Sequence, residues 1–95
     1  MDVEVIVGSR AGVFLKPERL ALYAMALGLN SDSAIGQLIG MTERTLHRAR
    51  EGVVGEKFIA AVLAGFEKRK TELAAVGLTV TFEDFFEVGE KATTA

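Results

Sequence analysis

The stretch SDSAIGQLIGMTERTLHRAREG, residues 31–52, predicts two short helices joined by a tight turn. Ser31 or Asp32 can cap the first helix, because either side chain can accept a hydrogen bond from a free amide of its first turn. Ile35 and Ile39 are four residues apart, so they lie on one face of that helix, which we expect to be buried.

The second half of this stretch has its own start and stop signals. Gly40 can end the first helix in a left-handed turn, and Thr42 can cap the next helix two residues later. Leu46 and Ala49 are spaced to face inward, and Gly52 ends the segment. Two short helices with a glycine turn, the second bearing outward bases, are typical of a helix-turn-helix.

The same residues resemble the helix-turn-helix of the Cro/repressor family of phage and bacterial regulators. That pattern has a small residue early in its second helix, a glycine four residues later, a Ser/Thr cap two further on and a closing glycine. Gly36, Gly40, Thr42 and Gly52 match these positions without a gap. KFIAAVLAGF and FEDFFEV resemble the closing helices of the family, especially in regulators of actinobacterial phages, so the resemblance covers residues 17–88.

The resemblance implies a function for the outer face of helix 42–50. In the family, the positions that match Glu43, Arg44 and Arg48 face base edges in the major groove, and Thr42, Thr45 and His47 lie beside them. Arginine can donate two hydrogen bonds to guanine, and a glutamate can accept one from cytosine. We expect the complete DNA-binding set to be Gln37, Thr42, Glu43, Arg44, Thr45, His47, Arg48, Arg50 and Lys57.

Individual positions of the motif carry further expectations. Gly36 is expected to leave room for the recognition helix to cross the helix before it. Asp32 stands where relatives often bind phosphate, and its charge would repel a phosphate unless it serves only as a cap. Leu38 occupies a position that is usually polar, so it either packs under the N-terminal strands or meets a partner. Lys57 is the base expected to touch the DNA backbone after the motif.

The charge of the chain is unevenly distributed. The net charge is −2 overall, but residues 41–70 carry +3, whereas residues 1–40 carry −1 and residues 71–95 carry −4. A polyanion would therefore meet the middle of the chain, although a net +3 is also common for a solvated surface.

The flanking segments predict a mostly α fold of four to five helices with a small antiparallel β element formed by the two chain ends. DVEVIV and VFL are expected to be short strands separated by a turn at residues 8–12. Helices are expected from Pro17 to Leu27 and over residues 56–70, where Phe58, Ile59, Val62, Leu63 and Phe66 would be buried. The basic residues 68–70 would then lie at the C-terminal end of this helix, where positive charges interact favourably with the helix dipole.

The C-terminal part is predicted to close the core. Leu78 and Val80 suggest a short extended piece, and Thr81 can cap a last turn that buries Phe82, Phe85 and Phe86. The expected organisation is one domain over residues 1–95, with an N-terminal β segment at 1–16, the helical bundle at 17–88 and a flexible tail at 89–95.

Composition favours a cytoplasmic protein, which for a phage regulator means the host cytoplasm and nucleoid. The chain has no cysteine, and we find no apolar run near the roughly 18 residues that a membrane helix needs. The acidic N-terminus is unlike a secretory leader. We expect no contact with a membrane.

We expect no enzyme, metal, cofactor or small-molecule ligand. His47 is the single histidine and has no second ligand at a metal-binding spacing. The acids near the C-terminus have the spacing of a solvated face. We therefore expect His47 to be a surface histidine that lies beside a phosphate of the DNA backbone.

Two functional hypotheses follow. The first is a sequence-specific regulator of transcription, a phage Cro-like protein or small repressor whose partner is a double-stranded DNA operator. The alternative is a protein-interaction module that keeps the helix-turn-helix as a scaffold, without specific DNA binding, and uses the acidic tail or Leu38 as its contact surface. A homodimer, if one forms, is expected to be weak in the absence of DNA, because the β-prone ends should pair within one chain.

Overall fold

The computed structural model describes residues 9–92 of the chain. Its elements, in chain order, are β1 (Ser9–Leu15), α1 (Pro17–Ala26), α2 (Asp32–Ile39), α3 (Glu43–Ala49), β2 (Val53–Val54), α4 (Glu56–Glu67), α5 (Lys70–Ala74), α6 (Phe82–Phe85) and β3 (Phe86–Ala92). The predicted mostly α class with a small antiparallel sheet is confirmed.

One hydrophobic core joins the helices to the sheet. Its centre is aromatic: Tyr23, Phe66, Phe85 and Phe86 are almost completely buried, and the Tyr23 and Phe85 rings lie 4.4 Å apart between centroids. The Tyr23 hydroxyl donates a hydrogen bond to the Thr79 carbonyl at 2.5 Å, so its one polar group is satisfied at the edge of the core. The phenylalanines near the C-terminus therefore complete the core, as predicted.

The sheet has the order β2-β1-β3 and is antiparallel throughout. β1 pairs with β3 from Ser9 opposite Ala92 to Leu15 opposite Phe86. The predicted pairing of the two chain ends is confirmed over this range, whereas the strand expected at 2–7 lies outside the described residues. The turn predicted at 8–12 is wrong for residues 9–12, since they continue β1 and each has a partner in β3.

The predicted helix over residues 56–70 is divided. α4 ends at Glu67, and Arg69 leaves the helical conformation with φ −115° and ψ 22° before α5 begins. The bases therefore do not line a last helical turn. Arg69 forms a two-pronged ion pair with Glu72, and Lys70 lies 3.0 Å from Glu67. This break accounts for the sixth helix among residues 9–92.

The C-terminal segment begins with a capped turn. The backbone N–H of Thr81 donates to Asp84 Oδ2 at 2.9 Å, and the Thr81 hydroxyl donates to the same oxygen at 2.8 Å. Phe85 and Phe86 are buried and Phe82 is partly buried, as expected. Residues 78–80 form no strand, and residues 89–92, predicted as the start of a flexible tail, belong to β3 instead.

No helix within the described part of the chain is long and apolar enough to cross a membrane.

Candidate nucleic-acid interface

The start of α2 is fixed by Ser31 rather than by Asp32. Ser31 has extended backbone angles, and its Oγ accepts a hydrogen bond from the Ala34 N–H at 3.1 Å. One free amide of the first turn is thereby satisfied. The neighbouring carboxylate of Asp32 is left available for another partner.

The turn between α2 and α3 is built by two glycines. Gly40 has φ 74°, a left-handed conformation that costs other residues about 1–2 kcal/mol. The Gly36 carbonyl accepts from the N–H groups of Gly40 and Met41 at 2.7 and 2.9 Å. A Cβ at Gly36 would lie 2.3 Å from the Met41 carbonyl oxygen. The room that Gly36 provides is thus mainly for the backbone of the turn, while α3 comes only to ordinary contact distance, with Leu46 Cδ1 at 3.9 Å from the same Cβ position.

α3 has one buried face and one exposed face. The Thr42 hydroxyl caps it by accepting from the Thr45 N–H at 3.2 Å. Leu46 is completely buried, and Ala49 is 6% exposed. The exposed residues of the helix are Glu43, Arg44, His47 and Arg48. The predicted division of faces is therefore confirmed.

A close contact between α2 and α4 supports this motif from behind. A Cβ at Gly65 of α4 would lie 2.8 Å from the Leu38 carbonyl oxygen and 2.9 Å from Ile39 Cα. Leu38 itself is partly buried against the core, and whether its side chain also meets the N-terminal strand expected at 2–7 lies outside the described residues. The backbone at the end of α2 therefore packs directly against the backbone of α4 at Gly65.

The two arginines on the exposed face of α3 have no acidic partner in the described part of the chain. Neither Arg44 nor Arg48 forms an ion pair with a described side chain, whereas His47 lies 3.4 Å from Glu51. Both guanidinium groups can therefore turn toward an external acceptor. A flat, five-donor group suits phosphate oxygens and guanine edges equally well.

Gln37 comes close to the start of α3. A shallow depression is lined by residues of α2 and of the turn: Ser33, Gly36, Gln37, Gly40, Met41, Thr42 and Glu43. The Thr42 and Thr45 hydroxyls are 3.0 Å apart at the same end of the helix. The structure therefore gathers four of the predicted contact residues, Gln37, Thr42, Glu43 and Thr45, around the N-terminus of α3.

Arg50 does not join this set. Its two terminal nitrogens donate to the two Asp32 carboxylate oxygens at 2.8 and 2.7 Å. The hydrogen bonds from Arg50 hold the pKa of Asp32 below its ordinary value, and the same bonds raise the pKa of Arg50. In the structure Arg50 therefore pairs with a side chain of the protein, its contact with DNA stays a prediction, and Asp32 has a role other than that of a cap.

Lys57 lies on the first turn of α4 and is exposed. Its sequence neighbours Gly55 and Phe58 line a depression together with Thr45 and Arg48 of α3. The beginning of α4 therefore lies beside α3, and Lys57 adds a positive charge to the same side of the protein.

The sequence did not predict β2, which lines the same depression. Val53 is 55% exposed and Val54 is buried, and these residues pair with Phe14 and Val13 of β1. Two β-branched valines between Gly52 and Gly55 were the available signal, although two residues are too few to predict a strand.

Within residues 9–92 no group of histidine and acidic side chains could hold a metal ion. Comparisons with family models, curated proteins and solved structures found no match for this chain.

Proposed function

We propose that this protein is a sequence-specific regulator of transcription, a phage Cro-like protein or small repressor that binds double-stranded DNA through α3. The observation that carries the proposal is the division of α3 between buried Leu46 and exposed Arg44 and Arg48, which form no ion pair with a side chain in the described part of the chain. An anchored apolar face leaves the opposite face free to enter a major groove.

The base contacts are assigned to three side chains. Arg44 and Arg48 are one helical turn apart, about 6 Å along the axis. This distance fits guanines one or two base pairs apart, because base pairs are stacked about 3.4 Å apart. Glu43 precedes them and can accept a hydrogen bond from a cytosine amino group. Together they favour a short G- and C-containing half-site.

The backbone contacts are assigned to polar groups around the same helix. Gln37 and the threonine hydroxyls lie at its N-terminal end, where amides and the helix dipole also favour phosphate. His47 lies further along α3, and Lys57 follows on α4. These contacts would fix the position of the protein on the duplex. The proposed location is the cytoplasm or nucleoid of a bacterial host, where binding at a promoter would repress transcription.

Selection from random double-stranded DNA tests the proposal directly. We expect a recurring motif, and tighter binding to that motif than to a scrambled duplex in fluorescence anisotropy. The logarithm of the affinity should fall linearly with the logarithm of salt concentration, as expected for release of counterions. The absence of a recovered motif, together with equal affinity for both duplexes, would reject the proposal.

A second function is favoured by a separate surface. α1 exposes Leu22 and Met25, at 41% and 76%, on its outer side. Exposed apolar residues that lie together are common at protein interfaces. A protein-interaction module on this scaffold would use α1 and tolerate Arg44→Ala and Arg48→Ala, which separates it from the DNA-binding proposal.

A further inference from the structure

Asp32 and Arg50 connect the beginning of α2 to the end of α3. Asp32 is the first residue of α2, and Arg50 is the C-cap of α3, 18 residues later. Arg50 Nη1 donates to Asp32 Oδ2 at 2.8 Å, and Arg50 Nη2 donates to Asp32 Oδ1 at 2.7 Å. A bidentate pair requires the two planar groups to be aligned, so it constrains direction as well as distance.

The ion pair adds a directional restraint to the apolar anchoring of α3, at the end of the helix that is far from the Gly36–Met41 turn. α3 is anchored by Leu46 and Ala49, whose apolar contacts are not directional. The Asp32 and Arg50 side chains are 37% and 32% exposed, so water screens the pair only in part. The lowered pKa of Asp32 and the raised pKa of Arg50 agree that both groups stay charged together.

We propose that Asp32 and Arg50 are positioning residues that set the orientation of α3 on α2, and that Arg50 does not itself bind DNA. This inference rests on the proposed function of α3. Arg48 lies two residues before Arg50, so a change in the tilt of the helix end displaces its guanidinium from a base edge. The ion pair therefore acts on base recognition through Arg48 and Arg44.

Neutralising Asp32 separates this role from direct contact. If Arg50 bound a phosphate, Asp32→Asn would release it and remove a negative charge near the DNA, so all DNA would bind more tightly. If the pair positions α3, the same substitution weakens binding to the selected site. Binding to unrelated DNA stays the same or strengthens, because that binding is mainly electrostatic. For the selected site, direct contact by Arg50 predicts that Asp32→Asn binds more tightly, whereas the positioning role predicts that it binds more weakly.

The experiment uses the full chain with Asp32→Asn, Arg50→Lys and the double variant. Arg50→Lys keeps the positive charge but removes the pair of parallel hydrogen bonds that the guanidinium donates to Asp32. Arg69→Lys is the matched control, because Arg69 forms the same kind of fork with Glu72 but at α5. Affinities for the selected duplex and for a scrambled duplex are measured at one salt concentration, and urea unfolding checks that each variant is folded.

We expect each single variant to lose about tenfold in affinity for the selected duplex, within the range set by misplacing one bidentate base contact. The double variant should lose little more than a single variant, because both substitutions break one interaction. Arg69→Lys should leave both affinities unchanged. If Asp32→Asn unfolds the chain, Arg50→Lys alone gives the ratio of the two affinities.

Tighter binding by Asp32→Asn, or an unchanged ratio in folded Arg50→Lys, would overturn the positioning role while leaving the proposed function intact. A wild-type chain with no preference between the two duplexes would overturn both.

Discussion

Arg48 and Arg50 are two residues apart but meet different surroundings. An α-helix turns about 100° per residue, so residues two apart point in nearly opposite directions. Arg48 is on the exposed face of α3, whereas Arg50 binds the carboxylate of Asp32. Proximity in the sequence grouped both with the predicted DNA contacts, whereas helical periodicity places them on different sides of α3.

We expect Arg48→Ala to cost about 1–3 kcal/mol in binding the selected site and to relax the preference at one base position, as for loss of a bidentate contact. Selection from random DNA, repeated with the variant, measures the preference. Lys68→Ala is the control, since it removes an exposed base that follows α4. An unchanged motif with Arg48→Ala would remove Arg48 from the base contacts.

Lys57→Ala should behave differently, because an exposed lysine at the start of α4 is suited to a phosphate and not to a base. All sequences should bind more weakly, and the slope of log affinity against log salt should fall by about one. Anisotropy titrations at four salt concentrations give the slope. A changed motif with an unchanged slope would instead place Lys57 at a base edge.

Much of the candidate interface could be predicted at this scale, because caps and inward residues follow local rules. Thr42, Gly40, Leu46 and Ala49 have the predicted roles. The Asp32–Arg50 pair could not be predicted by those rules, since it depends on how two helices cross. One signal was present: an acid at a position suited to phosphate needs a partner of opposite charge.

At the scale of elements, the contact between α2 and α4 is the one that sequence periodicity misses. Gly65 lies in an apolar run where a glycine weakens a helix. The reason for a glycine at this position lies in the neighbouring helix α2. A Cβ at residue 65 would be 2.8 Å from both Ile39 Cγ2 and the Leu38 carbonyl oxygen. Periodicity identifies the buried face of one helix but says nothing about how near the next backbone lies.

Gly65→Ala should therefore destabilise the protein although alanine favours helix. We expect a loss of about 1–3 kcal/mol in the free energy of unfolding, the usual cost of overpacking. Urea denaturation measures it, with Gly52→Ala as control, because a Cβ at Gly52 meets no atom within 4 Å. If both variants unfolded at the same urea concentration, the close contact between α2 and α4 would be in doubt.

The strands were harder to predict than the helices for a related reason. GSRAG has the composition of a turn, yet residues 9–12 extend β1 because β3 supplies a partner for each of them. A strand depends on residues about 80 positions away in this chain, whereas a cap depends on residues three positions away. Local composition therefore predicted the helix ends better than the sheet.

At the scale of the molecule, Asp84 holds the C-terminal segment to α1. Its carboxylate accepts hydrogen bonds from Thr79 and Thr81, and Arg19 of α1 lies 3.7 Å away. Burial opposes ionisation, but the hydrogen bonds and the Arg19 charge outweigh it and lower the pKa of Asp84. The ionised side chain, only 17% exposed, therefore stabilises the folded state.

We expect Asp84→Asn to lower the free energy of unfolding at pH 7 by about 1–3 kcal/mol, as for hydrogen bonds to a charged group. Because the folded pKa is below the unfolded one, this contribution is complete above about pH 4 and is lost as pH falls through the lower value. Urea unfolding between pH 7 and pH 3 should show the wild-type and variant curves converging. Glu83→Gln, at an exposed acid of α6, is the control and should leave the free energy of unfolding at pH 7 unchanged.

Among residues 9–92, β3 is an edge strand of the sheet, and its Val88 is 71% exposed. Because β3 already has a partner within the chain, we expect a monomer in sedimentation velocity at micromolar concentration without DNA, unchanged by Val88→Lys. A stable dimer that Val88→Lys dissociates would instead place this edge at a subunit interface.

The pairing of β1 with β3 also bears on how the protein is made. β1 is synthesised before α1 to α6, but its long partner β3 follows α6, and among residues 9–85 only the two residues of β2 pair with β1. Chains cut short before Phe86 should expose β1 to proteases and aggregation. The β1–β3 pairs can therefore form only after β3 has been synthesised, and copies truncated before Phe86 should be degraded rather than accumulate.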